Sequence, residues 1–175
     1  MNPKSHTKNK TILVAALLVL CATHLVAGEA KGHILKYGIF KRAEKEEIIK
    51  TPETPSGVTR IPAGYMTLTT TTNRVPARKG IMFGIRYEVT NLDLKDGEMV
   101  EITKITTHPP MKKPDGKVSE SFSFVERAPV ENGRVEAQTG YGFDHDYEMV
   151  TGIWRIEMKL NGKTLMTQEF TVFKE

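Results

Sequence analysis

Residues 152–172, GIWRIEMKLNGKTLMTQEFTV, decide the fold class that this sequence predicts. Their first half has a period of two, with apolar side chains at Trp154, Ile156, Met158 and Leu160 and charged side chains between them. This alternation is typical of a β-strand that buries one face and exposes the other. We therefore expect a strand here, with Trp154 on its inner face.

The dipeptide Asn161-Gly162 predicts a tight turn after this strand. Asn and Gly adopt positive φ angles more readily than other residues, so the next strand is expected to return antiparallel and to pair Leu160 with Lys163. A two-stranded hairpin is marginal in water and needs a second layer to cover its apolar face. The hairpin therefore predicts a β-sandwich.

In the second strand of this hairpin, the apolar residues do not all fall on the same face. Pairing counted from the turn places Leu165 opposite Met158 and inward, whereas Phe170 and Val172 then fall on the outer face. One extra residue restores both to the core, and we predict a β-bulge that absorbs it between Met166 and Gln168.

The rest of the chain reads as short strands separated by turns. Strand-like segments are 31–40, 46–51 as a charged edge strand, 65–72, 81–89 as a central strand, 99–107, 118–125 and 141–150. Proline and glycine predict loops at 51–63 and 108–117. Seven to nine strands, without a convincing helix or repeat, predict an all-β, immunoglobulin-like antiparallel β-sandwich.

Residues 1–28 have the pattern of a cleavable N-terminal signal helix. Lysines at positions 4, 8 and 10 precede an apolar run at 11–20, and small residues follow. A membrane-spanning helix needs about 20 apolar residues, and this run is shorter. We expect cleavage after Gly28 or Ala30, a single domain at 29–175, no transmembrane anchor after cleavage, and a periplasmic or extracellular location.

Cys21 offers a second interpretation of this segment, a lipid anchor. Leu20 before it is larger than the small residue that lipoprotein cleavage requires, so we expect no lipid at this site. After ordinary cleavage the chain has no cysteine, which excludes disulfides and thiol catalysis.

The charge of the mature chain argues against nucleic-acid binding. Three of the 25 basic residues lie before Glu29, so 22 Lys and Arg oppose 21 Asp and Glu, a net charge of +1. Nucleic-acid binding predicts a clustered basic face instead. The expected partner is an unknown protein or small ligand of the cell envelope.

Residues 143–149, FDHDYEM, contain the most concentrated candidate chemistry. In a strand, Asp144, Asp146 and Glu148 would share one face, and oxygen ligands of this kind suit a hard cation such as Ca²⁺. Carboxylates about 7 Å apart are too distant for one ion unless the backbone curls. A divalent-metal site is thus the alternative, and a charged solvent-facing surface is the favoured interpretation.

The segment HPPMKK predicts an exposed loop that would bind a partner; its residues are His108, Pro109, Pro110, Met111, Lys112 and Lys113. Prolines would keep the loop extended and stiff. Imidazole and thioether also suit copper, but two ligands do not complete a site.

No catalytic motif occurs in the chain, and His145 has no indicated partner for general-base chemistry. We expect no cofactor and no enzymatic activity. The sequence predicts an exported, non-catalytic binding module, with a subunit or accessory domain of an envelope enzyme as a further alternative.

Several motifs together carry a resemblance to a known family. They are a YGI-type first strand, a TPxG-type loop, VPARKGIMFGIRY at 75–87, an HPP-type segment at His108, and the ending at 140–172. The chain resembles an uncharacterised family of exported bacterial proteins, a domain of unknown function. That resemblance implies an exported immunoglobulin-like domain and brings no activity, substrate or catalytic residue.

Overall fold

The computed structural model describes residues 28–175, so Cys21 and the predicted signal helix up to residue 27 lie outside the described residues. The strands are β1 (Lys31–Lys41), β2 (Glu46–Lys50), β3 (Val58–Pro62), β4 (Thr67–Thr70), β5 (Arg74–Pro76), β6 (Met82–Thr90), β7 (Met99–Lys112), β8 (Val118–Pro129), β9 (Val135–Gly142), β10 (Gly152–Leu160) and β11 (Lys163–Phe173). The one helical element of this part is a 3₁₀ turn at Asp146–Glu148.

Nine strands form two sheets, ordered β4-β1-β6-β9 and β5-β11-β10-β7-β8. Every pairing within them is antiparallel except that of β5 with β11, which is parallel. Within residues 28–175, strands β2 and β3 pair only with each other. The predicted all-β chain of antiparallel sheets is confirmed, with one short parallel pairing and one additional hairpin.

The core lies between the two sheets. Strand β6, the central strand predicted at 81–89, is paired on both sides and contributes four fully buried side chains, those of Phe83, Ile85, Tyr87 and Val89. The ring of Phe83 lies 5.7 Å from that of Trp154 and 5.1 Å from that of Phe170, both in the opposite sheet. Burying such a side chain stabilises the fold by roughly 1.5–3 kcal/mol.

The turn between β10 and β11 forms as the sequence predicts. Asn161 and Gly162 have φ angles of 50° and 80°, and Leu160 pairs with Lys163. Both central residues with positive φ give the backbone twist that matches the right-handed twist of the flanking strands.

The bulge in β11 lies at Leu165, nearer the turn than predicted. Met158 pairs with Met166, and the ladder is regular from there to Val172, so the predicted position after Met166 and the pairing of Met158 with Leu165 are wrong. The physical reason is the burial of Met166. A shift at Leu165 brings that side chain into the core together with Phe170, whereas a later shift would leave it in water.

The segment 51–63, predicted as a loop, is partly a strand. Its second half forms β3, which pairs along its whole length with β2 from Glu46↔Pro62 to Lys50↔Val58. The predicted edge strand at 46–51 is confirmed as β2. Prolines and glycine confine the loop to residues 51–57, and the partner strand determines the rest.

Candidate functional site

Hairpin β2–β3 stands apart from both main sheets, and its tip is internally ordered. The backbone N–H of Thr51 donates to the carbonyl of Gly57 at 2.9 Å. The Thr54 hydroxyl lies 2.9 Å from the carbonyl oxygen of Thr51 and 3.0 Å from that of Val58, and both threonines are buried. These bonds hold the connecting segment 51–57 in one conformation.

The same hairpin exposes three isoleucines. Ile48, Ile61 and Ile49 are 56%, 46% and 38% exposed. The register pairs Glu47 with Ile61 and Ile49 with Thr59, so Ile49 and Ile61 share one face, and Ile48 lies on the other. Isoleucine is among the residues most often buried, so three partly exposed isoleucines on one small hairpin form an exposed apolar surface.

One carboxylate joins the hairpin to the sandwich. Arg60 on β3 donates from Nε to Oδ2 of Asp144 at 3.0 Å, and Arg42, just after β1, donates from Nη2 to Oδ1 at 2.5 Å. Gly142 leaves room for the Arg42 guanidinium, because a Cβ at this position would overlap it. Charge-assisted bonds of this kind are about twice as strong as neutral ones.

A cavity of about 80 Å³ lies beneath the hairpin, where the edge strands β8 and β9 of the two sheets face each other. Hairpin residues Val58, Thr59 and Arg60 line one side. Apolar groups of Phe122 and Phe124 on β8 line the other.

Lys104 on β7 reaches this cavity from the core. Its side chain is 2% exposed, and Nζ donates to the carbonyl of Gly140 at 2.5 Å and lies 5.1 Å from the centre of the Phe124 ring. Burial lowers the pKa of Lys104, and the carboxyl of Glu126 opposes that shift. A buried ammonium without a directly bonded counter-charge is costly, which makes this lysine unusual for a sandwich core.

Glu126 forms an internal polar cluster with Lys104. Its carboxyl accepts hydrogen bonds from the hydroxyls of Thr139 and Tyr87. Burial raises the pKa of Glu126, while Lys104 and the two hydroxyls lower it. Lys104 and Glu126 are therefore electrostatically coupled inside the sandwich.

The residues predicted as metal ligands are not brought together. Residues 143–149 form no strand, and no three His, Cys, Asp or Glu side chains within residues 28–175 are grouped so as to hold a metal ion. Asp144 binds the two arginines, and Asp146 lies at the surface, 3.8 Å from Lys79. The predicted shared face of carboxylates is therefore wrong.

Glu148, the third predicted ligand, has a structural role. It is 1% exposed and accepts hydrogen bonds from the Tyr141 hydroxyl at 2.8 Å and from the backbone N–H groups of Asp144 and His145 at 2.7 Å each. A charged acceptor with three donors holds the 3₁₀ turn in place.

The predicted partner-binding loop is largely strand. Strand β7 continues through Pro109 and Pro110 to Lys112, with a bulge between Thr107 and Met111 that accommodates both prolines. His108 is 6% exposed and Met111 is fully buried. The placement of 108–112 in an exposed loop is wrong, and neither buried side chain is available to a partner or a copper ion. Lys113 begins the turn that closes at Lys117.

The sequence-based prediction missed Arg42, Arg60, Lys104 and the hairpin isoleucines. Lys104 did carry a signal, because it has the same parity as the buried Val100 and Ile102 on β7, and a lysine on an apolar strand face is rare. Arg42 and Arg60 carried none, since Asp144 lies 102 and 84 residues away from them.

No helix in the part of the chain from residue 28 onward is long and apolar enough to cross a membrane. No curated protein matches the sequence.

Comparison with solved structures supports the immunoglobulin-like fold. An immunoglobulin-like protein from Pseudomonas aeruginosa is 22% identical and superimposes with a TM-score of 0.59, over 85% of this chain and 99% of that chain. An alkylpurine DNA glycosylase from Pseudomonas fluorescens, bound to DNA, is 10% identical with a TM-score of 0.40, over 58% of this chain and 28% of that chain. The second likeness is too low to carry an argument.

A family model for a domain of unknown function, DUF3859, matches residues 29–172. The match spans nearly all of the sandwich and includes the hairpin, the cavity and the closing strands. The chain therefore belongs to the DUF3859 family.

Proposed function

We propose that this chain is an exported, non-catalytic binding module that accepts an extended segment of another envelope protein at hairpin β2–β3. The observation that carries the proposal is the exposure of Ile48, Ile49 and Ile61 on a two-stranded sheet that pairs with no other strand.

An added strand would complete this small sheet. Two-stranded sheets are marginal in water, and a third strand supplies main-chain hydrogen bonds along the hairpin edge. Full burial of an isoleucine side chain is worth roughly 1.5–3 kcal/mol relative to exposure. Ile48, Ile49 and Ile61 are already about half buried, so covering each one contributes about half of this value, and the main-chain hydrogen bonds of the added strand supply the rest.

The charges around the hairpin define the chemistry of the partner. Exposed acidic and basic residues in and beside it are balanced: Glu44, Glu47 and Glu53 against Lys41, Lys45 and Lys50. A strongly charged segment gains nothing from such a surface. We therefore infer a segment of low net charge with apolar residues that cover both faces of the hairpin.

The hairpin is ordered before it binds. The bonded tip at residues 51–57 and the ion pair of Arg60 with Asp144 fix its conformation and its attachment. Pre-organisation reduces the entropy lost on association and so favours affinity. The signal-like residues 1–28 support export, and the lack of a catalytic motif supports a binding role.

Crosslinking in the native envelope tests the proposal. The double variant Ile48→Ser/Ile61→Ser should lose the crosslinked partner, with recovery lower by at least about tenfold, since covering these two half-exposed side chains contributes roughly 1.5–3 kcal/mol in total. Ile153→Ser is the matched control, because Ile153 is equally exposed, at 53%, but lies on β10.

Three outcomes would contradict docking at the hairpin. They are equal loss of the partner in the control variant, unchanged recovery in the double variant, and crosslinking only to a second copy of the chain. Recovery of the monomer alone from wild-type envelopes would also count against it.

A further inference from the structure

The lining of the cavity beneath the hairpin has more cationic than anionic side chains. Its lining includes three cationic side chains, Arg42, Arg60 and Lys104, against the single carboxylate of Asp144. Both arginines already bond to that carboxylate, one to each oxygen. No ion pair of Lys104 occurs within residues 28–175, and its one acceptor there is a backbone carbonyl.

Two further polar atoms at this place have no partner. Nε of Arg42 and Oγ1 of Thr59 are buried and make no hydrogen bond to any residue in the described part of the chain. Both residues line the cavity. Buried polar groups are normally satisfied, so unpaired donors beside a cavity point to a ligand that brings acceptors.

The remaining lining is apolar. Val58, Met82, Phe122 and Phe124 contribute to the walls. A volume of about 80 Å³ compares with a share of about 30 Å³ for one water in the liquid. The space therefore suits a group of only a few non-hydrogen atoms.

We propose that this cavity binds a carboxylate, presented either by a small monocarboxylic acid or by the C-terminus of a peptide. Its oxygens would accept from Lys104 Nζ, Arg42 Nε and the Thr59 hydroxyl. Arginine forks match the planar geometry of a carboxylate. The apolar walls favour a hydrocarbon group over a fully hydrated oxyanion such as phosphate. This proposal does not rest on docking at the hairpin isoleucines.

Calorimetric titration of the purified protein tests the site with four probes: propionate, inorganic phosphate, and one short peptide with either a free or an amidated C-terminus. We expect propionate to bind and phosphate to bind far more weakly. Binding of the free peptide but not of its amide assigns the site to C-termini. Binding of propionate without either peptide assigns it to small acids.

Variants locate the site. Lys104→Met keeps the length and the apolar stem of the side chain, and it should weaken carboxylate binding about tenfold or more, because a hydrogen bond to a charged group is lost. Arg155→Met, on the surface ion pair of Arg155 with Glu169, is the control and should bind as the wild type does. A thermal melt of each variant verifies folding.

The proposal is overturned if no carboxylate probe binds the folded wild type, if phosphate binds as well as propionate, or if Lys104→Met binds propionate unchanged. None of these results affects the hairpin proposal, because Ile48 and Ile61 are not part of the cavity lining.

Discussion

The imidazole of His108 lies in the core against the indole of Trp154. Their ring centroids are 4.8 Å apart, and the ring of Phe122 lies 6.1 Å away. Nδ1 is 2.8 Å from the carbonyl oxygen of Pro109 and so acts as the donor, while the buried Nε2 has no partner within residues 28–175. The neutral imidazole, which has one N–H and donates it to the Pro109 carbonyl, fits this site. The protonated ring would bury a positive charge and a second N–H that has no acceptor.

Acidification should therefore destabilise the protein through His108. Burial lowers the pKa of this imidazole below its usual 6.5, although the Pro109 carbonyl opposes the shift. Because the pKa of His108 is lower in the folded than in the unfolded state, its contribution to stability is complete above the unfolded-state pKa. That contribution is lost as the pH falls from there towards the folded-state pKa. Each unit of lowering corresponds to about 1.4 kcal/mol.

Chemical denaturation between about pH 7.5 and 5.5 measures this effect. The free energy of unfolding of the wild type should fall more steeply on acidification than that of His108→Leu. His33→Leu, which removes an exposed histidine on β1, is the control. Parallel pH profiles for wild type and His108→Leu would refute the assignment.

Hairpin β2–β3 depends on Asp144 for its attachment to the sandwich. The carboxylate holds Arg60 of the hairpin and Arg42 of the body, and its side chain is only 21% exposed. Removal of one member of a partly buried charge cluster leaves the others without compensation. The other polar contact of the hairpin tip with this region is the Tyr147 hydroxyl, 3.4 Å from the Pro55 carbonyl.

Asp144→Asn should loosen the hairpin without unfolding the core. The repulsion between the two guanidinium groups would then be uncompensated, and Arg60 would keep only the carboxylate of Glu46, 3.7 Å away within the hairpin itself. Limited trypsin digestion should cut faster at Lys50 in this variant, while the melting of the whole protein changes little. Asp146→Asn serves as the control, because that carboxylate is exposed and 3.8 Å from Lys79. Equal cleavage rates in the two variants would contradict the role of Asp144.

At the scale of the whole molecule, local alternation was enough to predict the sandwich. Strands β6 and β10 alternate over nine residues each, and their inner apolar positions are buried except Leu160 at the end of β10, which is half-buried. The dipeptide Asn161-Gly162 identified the closing hairpin, because both residue types readily adopt the positive φ angles that the turn requires. These features depend on neighbours in sequence, which is why one sequence suffices to find them.

The candidate site depends on distant residues and was not predictable in the same way. Asp144 meets Arg42 and Arg60 only through the fold. The prolines at 109 and 110 suggested a loop, yet a bulge lets β7 continue past them and buries Met111. Tertiary contacts therefore overrode the local preference at both places.

Amide hydrogen exchange, measured on the protein alone and in complex with the partner recovered by crosslinking, tests the central claim most directly. The account predicts that the partner slows exchange in residues 46–62 of the hairpin and leaves strands β6 and β10 unchanged. Slowed exchange elsewhere on the sandwich, with the hairpin amides unaffected, would contradict it.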